Sequence, residues 1–238
     1  MSCHAPDDVA TADAATSTRV ALLGAPNAGK SSLFNRLTGL RAKTGNYPGV
    51  TVSRSFGDVR AGETNLVLED LPGTYSLEAV SPDEQVVVDA LAGRLDGVPA
   101  PDALIVVADA TTLRRSLPFV ARAIALGKPT MLALTMIDEL HARGGHLDVA
   151  ALERALGVPV RAVMAATGAG VDDIRALLAD VPAWTRPVVS PPTQDAQLLV
   201  ARGLRVADLD ALLHPAALLG VLDVHVLDAG GAAVGVTQ

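Results

Sequence analysis

An apolar, strand-like run that ends in a glycine-rich turn reads V-A-L-L-G-A-P-N-A-G-K-S over residues 20–31. Its last eight residues fit the pattern GxxxxGKS, and a helix-like segment follows directly. In this context the pattern forms a phosphate-binding loop, because successive backbone N–H groups and a helix N-terminus surround an anion. We expect Lys30 to reach the β- and γ-phosphates of a nucleotide and Ser31 to bind magnesium. The predicted loop residues are Gly24, Ala25, Pro26, Asn27, Ala28, Gly29, Lys30, Ser31 and Ser32.

Short apolar runs alternate with helix-length segments on both sides of this loop. The pattern predicts strands at residues 20–23, 50–59, 65–69, 103–108, 130–134 and 158–163. Strands that alternate with helices indicate an α/β fold with a mostly parallel sheet, here six-stranded, and helices on both faces. Ligands of such sheets bind at the carboxyl ends of the strands, so we expect the chemistry there.

Composition and charge limit what the chain can do. Half of its 238 residues are hydrophobic, which excludes disorder throughout, and the formal charge of −7 argues against a protein that grips nucleic acid. The single cysteine, Cys3, cannot form an internal disulfide, and no apolar run is long enough to span a bilayer. We expect a disordered leader over residues 1–18, one domain over residues 19–181, and a proline-rich linker, short helix and weakly structured tail over residues 182–238.

Two segments after the phosphate loop have the features of nucleotide sensors. Asp70-Leu71-Pro72-Gly73 follows an apolar strand, so that Asp70 suits a water-mediated magnesium contact and the Gly73 amide suits the γ-phosphate. Thr51 lies in Gly49-Val50-Thr51-Val52-Ser53 and is the candidate second magnesium ligand when GTP is bound. The alternatives are a plain turn for the first segment and an ordinary surface loop for the second.

A third pair of segments is placed to read the base. Thr135-Met136-Ile137-Asp138 ends a strand, and the Asp138 carboxylate can accept hydrogen bonds from the N1–H and 2-amino groups of guanine, which adenine lacks. Ala165-Ala166-Thr167 ends the next strand and can offer a backbone N–H to the base oxygen. A helix cap is the alternative for Asp138.

Together these residues resemble the N-terminal G domain of the ferrous iron transport protein B family, over residues 19–179. The specific matches are GNYPGVTV (45–52), DLPGTYSLEAVSPDE (70–84) and VVADATTLRRSL (106–117). The resemblance implies a Ras-like P-loop GTPase fold and GTP hydrolysis coupled to ferrous iron uptake at the cytoplasmic face of the cell membrane. It also implies a membrane transport domain in the same or a companion chain.

The resemblance assigns roles to individual residues. Lys30, Thr51 and Gly73 would serve hydrolysis, with Ser31, Thr51 and Asp70 on magnesium. Asn27 matches the asparagine that holds a potassium ion beside the phosphates in potassium-activated relatives, so Asn27 is counted with the catalytic residues.

Two features of the sequence limit the expected activity. The base-reading motif of the family begins with asparagine, where this chain has Thr135, so one hydrogen bond and up to about tenfold in nucleotide affinity should be lost. No glutamine follows Gly73, so turnover should be slow, below about 1 s⁻¹. The alternative function is a soluble GTPase of the ribosome-assembly or tRNA-modification type, which the acidic charge disfavours.

Overall fold

A seven-stranded mixed sheet forms the centre of the described chain, which comprises residues 17–39 and 42–184 of a computed structural model. The strands are β1 (Thr18–Gly24), β2 (Ala42–Asn46), β3 (Ser53–Ala61), β4 (Thr64–Asp70), β5 (Ala103–Asp109), β6 (Thr130–Thr135) and β7 (Val160–Ala162). The helices are α1 (Lys30–Thr38), α2 (Pro82–Ala92), α3 (Leu113–Ala125), α4 (Ile137–Ala142), α5 (Val149–Leu156) and α6 (Val171–Leu178).

The strand order is β2-β3-β4-β1-β5-β6-β7. Strands β4, β1, β5, β6 and β7 run parallel, whereas β3 is antiparallel to both β2 and β4. The carboxyl ends of β1, β4 and β6 therefore meet at one edge of the sheet, which places the segments that begin at Gly24, Asp70 and Thr135 side by side.

Two hydrophobic cores lie on opposite faces of the sheet, because successive side chains of a strand point to opposite sides. Val20 and Leu22 of β1 belong to the core that includes α1 and α6, whereas Ala21 and Leu23 belong to the core that includes α2, α3 and α5. Strand β5 is buried along both faces over residues 103–108. The predicted α/β fold, with a mostly parallel sheet and helices on both faces, is confirmed.

The sheet has one strand more than the six predicted. The additional strand, β2, has the sequence AKTGN and is exposed along most of its length, so it lacks the apolar alternation by which strands are recognised. It forms because its backbone pairs with β3, from Ala42 with Gly57 to Asn46 with Ser53.

The hydrophobic core that includes α1 and α6 continues beyond residue 181. A short 3₁₀ turn over Val181–Ala183 leads to Trp184, whose indole N–H donates to the carbonyl of Leu177 over 2.8 Å. Trp184 is 3% exposed and packs with α6. The predicted leader up to residue 16 and the predicted linker and tail from residue 185 onward lie outside the described residues.

Candidate nucleotide-binding site

The phosphate-binding loop connects β1 to α1 as predicted. Gly29 has φ of +84°, a left-handed conformation that favours glycine, and α1 begins at the next residue, Lys30. Asn27 also has a left-handed backbone, with φ of +64°, which asparagine tolerates better than most residues. The loop therefore turns sharply before the helix and leaves the first backbone N–H groups of α1 at its open end.

Lys30 and Ser31 meet Asp70 at the end of β4. The Lys30 Nζ donates to Asp70 Oδ1 over 2.7 Å, and the Ser31 hydroxyl donates to Asp70 Oδ2 over 2.6 Å. The side chains of Lys30 and Asp70 are each 9% exposed, so this ion pair is well shielded from solvent. The structure thus brings Asp70 to two adjacent residues that precede it by about 40 positions.

The segment after Asp70 lies directly against the phosphate loop. The Thr74 N–H donates to the carbonyl of Gly24 over 3.1 Å, and a Cβ on Gly73 would stand 3.0 Å from backbone atoms of Pro26. Only glycine permits this approach without displacing the loop. The hydroxyl of Thr74 accepts from the Ser76 N–H and donates within its own segment, to Ser76 or Glu84.

Residues 47–52 form a tight loop that joins β2 to β3. The Tyr47 N–H donates to the carbonyl of Val52 over 2.9 Å, and the Val50 N–H donates to the carbonyl of Tyr47 over 3.3 Å. Thr51 is exposed, and no hydrogen bond joins its hydroxyl to another described residue. Gly49, Val50 and Ser53 are exposed as well, and none of these residues lines the two cavities described below.

The base-reading segment follows β6. Thr135 is 2% exposed, and its hydroxyl lies 2.7 Å from the carbonyl oxygen of Ala28 and 3.2 Å from that of Ala108. Met136 has φ of +57° and precedes α4, so that Ile137 and Asp138 fall in the first turn of this helix. Asp138 is exposed, and α4 has no side-chain cap. The alternative that Asp138 is a helix cap is therefore wrong.

A cavity of about 600 Å³ lies between α1, the start of α4 and the segment that follows β7. Thr135, Met136 and Asp138 line one side of it, and Ala165 and Ala166 line the other. Thr167, the last predicted residue of this segment, is exposed and does not line the cavity. A second cavity of about 510 Å³, at Lys30, Ser31 and Gly73, shares Gly29, Ser32 and Met136 with the first. Because they share these three lining residues, the two cavities adjoin each other, and we refer to them together as the channel between the phosphate loop and Asp138.

Sequence reasoning missed four residues that line the larger cavity. They are Asn35, Arg36, Gly39 and Met164. Three of them lie on α1 or just after it, three, four and seven positions after Ser32, and residues at this spacing share one face of a helix. Those three could have been predicted by following the helix face that carries Ser32 along α1.

Arg36 also connects α1 to the base-reading segment. Its Nε donates to the carbonyl of Ala165 over 2.7 Å, and its Nη2 donates to the carbonyl of Ala166. Arg175 of α6 in turn donates to the carbonyls of Arg36 and Leu37, over 2.7 and 3.0 Å. The first turn of α1 therefore holds the phosphate end of the channel, and its last turns hold the base end.

The Ser31 hydroxyl and the Asp70 carboxylate together form a set of ligands that suits a hard divalent cation. Magnesium prefers hydroxyl, carboxylate and water oxygens, and Ser31 and Asp70 supply the first two side by side. Asn27 supplies an exposed amide at the open end of the phosphate loop.

A comparison with protein-family models matches residues 18–178 to the N-terminal domain of ferrous iron transport protein B. This chain belongs to the ferrous iron transport protein B family. The predicted resemblance to this family, abbreviated FeoB, is confirmed.

Curated FeoB proteins are similar to the same part of the chain. The Fe(2+) transporter FeoB of Leptospira biflexa is 40% identical over 157 residues, which cover 66% of this chain and 22% of that protein. The Fe(2+) transporter FeoB of Salmonella typhimurium is 39% identical over 160 residues, which cover 66% of this chain and 20% of that protein. The chain thus aligns with about a fifth of the length of these relatives.

Solved FeoB structures share the fold. The G domain of the T. maritima FeoB iron transporter aligns with a TM-score of 0.62 and 37% identity, over 69% of this chain and 98% of that one. A GDP-bound mutant of S. thermophilus NFeoB aligns with a TM-score of 0.65 and 39% identity, over 78% of this chain and 70% of that one. The described residues therefore form a Ras-like G domain, as predicted.

Within residues 17–39 and 42–184, no helix has the length and apolar character needed to cross a membrane.

Proposed function

We propose that this chain binds GTP with magnesium, hydrolyses it slowly, and regulates ferrous iron uptake by a membrane transport domain of the same or a companion chain. This arrangement places the domain at the cytoplasmic face of the cell membrane. The observation that carries the proposal is the convergence of Lys30, Ser31 and Asp70 at the phosphate end of a channel that ends at Asp138.

Different residues of the channel bind the phosphates, the base and the magnesium ion. Lys30 and the backbone amides at the start of α1 neutralise the phosphates. Asp138 accepts from the two guanine donors, and Ala165 and Ala166 border the same cavity. Adenine would leave the Asp138 carboxylate without these donors, which favours guanine over adenine. Magnesium, when bound by Ser31 and Asp70, supplies positive charge to the phosphate oxygens.

The residues that follow Gly73 are the reason why we expect slow hydrolysis. In Ras-like proteins a glutamine after this glycine orients the attacking water. Here the Thr74 hydroxyl is held within its own segment and Tyr75 is 72% exposed. We therefore expect a basal rate below about 1 s⁻¹, in the range of unassisted GTPases.

Calorimetry with GTP, GDP and ATP in magnesium tests nucleotide binding. We expect binding of both guanine nucleotides, weaker binding of ATP, and loss of GTP binding in Lys30→Ala. Lys128→Ala is the matched control, because Lys128 precedes β6 at the opposite edge of the sheet and bonds the carbonyl of Pro101. Equal affinities for GTP and ATP, or unchanged GTP binding in Lys30→Ala, would contradict the proposal.

A potassium ion beside Asn27 would supply further positive charge during hydrolysis. The exposed, left-handed position of Asn27 next to the phosphate cavity supports this assignment. We expect faster turnover in potassium than in sodium buffer, and no such difference in Asn27→Ala. Equal rates in the two buffers for the unaltered chain would reject it.

A further inference from the structure

A buried carboxylate, Glu69, lies immediately before Asp70 on β4 and takes no part in the nucleotide site described above. It is 6% exposed and accepts four hydrogen bonds. Oε1 accepts from the Tyr47 hydroxyl over 3.0 Å and from Arg54 Nε over 2.8 Å. Oε2 accepts from Arg19 Nη2 over 3.1 Å and from Arg54 Nη2 over 3.4 Å.

Tyr47 brings the loop of residues 47–52 into this cluster. It is 1% exposed, whereas residues 48–51 are exposed, so a single side chain fixes the root of the loop in the protein interior. The Arg54 guanidinium lies 5.8 Å from the centre of the Tyr47 ring and 4.7 Å from that of Phe56. Burial, together with the neighbouring Glu69 carboxylate, raises the pKa of the Tyr47 phenol well above its ordinary value, so the phenol remains a donor.

Fixing Tyr47 also limits where Thr51 can go. The Tyr47 N–H holds the carbonyl of Val52, and adjacent Cα atoms are about 3.8 Å apart. As long as the root of the loop is held, the Cα of Thr51 can move only on a sphere of that radius around the Cα of Val52. The side chain of Tyr47 therefore sets the region in which the Thr51 hydroxyl can meet a bound nucleotide.

We propose that the Tyr47–Glu69 hydrogen bond is the pivot of the 47–52 loop, and that Tyr47 is a positioning residue which acts on hydrolysis through Thr51. Only residues 48–51 move when the terminal phosphate is bound or lost, while Tyr47 stays attached to β4 one residue before Asp70. The candidate magnesium ligands of both sensor segments, Thr51 and Asp70, are thus both positioned from the end of β4. This inference rests on the proposed GTPase function for its effect on rate, but not for its effect on loop mobility.

Tyr47→Phe is the direct test, because it removes only the hydroxyl. The ring stays buried and Glu69 keeps both arginines, so the domain should fold. Tyr75→Phe is the matched control, since Tyr75 is 72% exposed. We expect kcat for GTP to fall about three- to tenfold in Tyr47→Phe, the range that the net loss of one ordinary hydrogen bond produces. The KM for GTP and the Kd for GDP should stay within about twofold of the parent.

Loop mobility supplies a readout that needs no nucleotide. A nitroxide on Val50→Cys in a Cys3→Ser background reports the motion of residues 48–51, and Tyr47→Phe should increase the mobile fraction of its spectrum whereas Tyr75→Phe should not. An unchanged spectrum in Tyr47→Phe would overturn the pivot, and so would a kcat loss accompanied by an equal loss of GDP binding. If the proposed GTPase function fails, no variant will turn over GTP, but the difference in label mobility will persist.

Discussion

The Thr135 hydroxyl has one proton, and the shorter of its two contacts, 2.7 Å to the carbonyl of Ala28, is with the phosphate-binding loop. Thr135, which stands where the family pattern has asparagine, therefore keeps a hydrogen bond between the end of β6 and the phosphate-binding loop. An asparagine amide has two donors and could bond the loop and the base together, whereas the single donor of Thr135 is used by the loop.

We predict that Thr135→Asn raises the affinity for GTP and GDP by up to about tenfold, because it adds a donor toward the base. Thr135→Val should lower the affinity, because the buried Ala28 carbonyl loses its partner and the loop loosens. Calorimetry of both variants with GTP and GDP measures the change.

Thr130→Val is the matched control for Thr135→Val. Thr130 is a buried threonine of the same strand, but its hydroxyl bonds the carbonyl of Lys128 at the opposite end of β6. Its loss should affect stability and leave nucleotide affinity unchanged. A fall of affinity in Thr130→Val equal to that in Thr135→Val would show that the effect comes from the strand as a whole.

Single residues differed in how well the sequence predicted them. Lys30, Ser31 and Asp70 lie together because a short motif at the end of a strand fixes both chemistry and place. The buried pair of Tyr47 and Glu69 could not be predicted, because nothing in the sequence pairs a loop tyrosine with a glutamate 22 positions later. Burial of a charge is decided by tertiary packing, which brings Arg19 and Arg54 to the same carboxylate.

Among the elements, α1 joins the two ends of the nucleotide channel. Lys30 and Ser31 occupy its first turn, and Arg36 near its end donates to the carbonyls of Ala165 and Ala166. A planar guanidinium can bond both carbonyls at once, which an ammonium cannot do with the same geometry. The helix should therefore help to fix the segment that borders the base.

We predict that Arg36→Met speeds GDP release about three- to tenfold, because the segment of Ala165 and Ala166 loses the two hydrogen bonds that hold it. Arg36→Lys should restore only part of the slow release. Stopped-flow release of a fluorescent GDP analogue measures the rate.

Arg60→Met is the control for Arg36→Met, since Arg60 is exposed and bonds only the carbonyl of Gly62 in its own turn. Its release rate should equal that of the parent. An unchanged rate in Arg36→Met would mean that the two carbonyls are held by the backbone alone.

Elements with local signals were predicted well, and those formed by pairing were not. Ser81 caps α2, Pro82 is its first residue, and Glu84 reaches back to the Ser81 N–H, as its sequence indicated. Strand β3, by contrast, begins at Ser53 and not at Val50, because the closure of Tyr47 on Val52 keeps residues 48–51 out of the sheet.

At the scale of the whole molecule, Trp184 closes the core on the face of α1 and α6. It is the only tryptophan of the chain and lies 3% exposed. The core thus carries one intrinsic fluorophore at the end of the described residues.

We predict blue-shifted tryptophan emission in the native state and a red shift on unfolding in urea that coincides with the loss of far-ultraviolet circular dichroism. Coincidence is expected because strands β1, β5 and β6 contribute side chains to both cores, so the cores should unfold together. Saturating GDP should move both midpoints to higher urea by mass action. A tryptophan transition that precedes the loss of secondary structure would show that Trp184 detaches before the sheet unfolds.

The Lys30–Asp70 ion pair has a consequence for how a triphosphate arrives. The ammonium and the carboxylate bond each other and are largely shielded from solvent, so binding of a triphosphate with its metal would require Lys30 to turn to the phosphates and Asp70 to turn to the cation. A nucleotide without metal would have to compete with Asp70 for Lys30, and it would leave the shielded Asp70 carboxylate without a cationic partner. We therefore expect the ion pair to favour binding of the magnesium complex of a nucleotide over binding of the free polyanion.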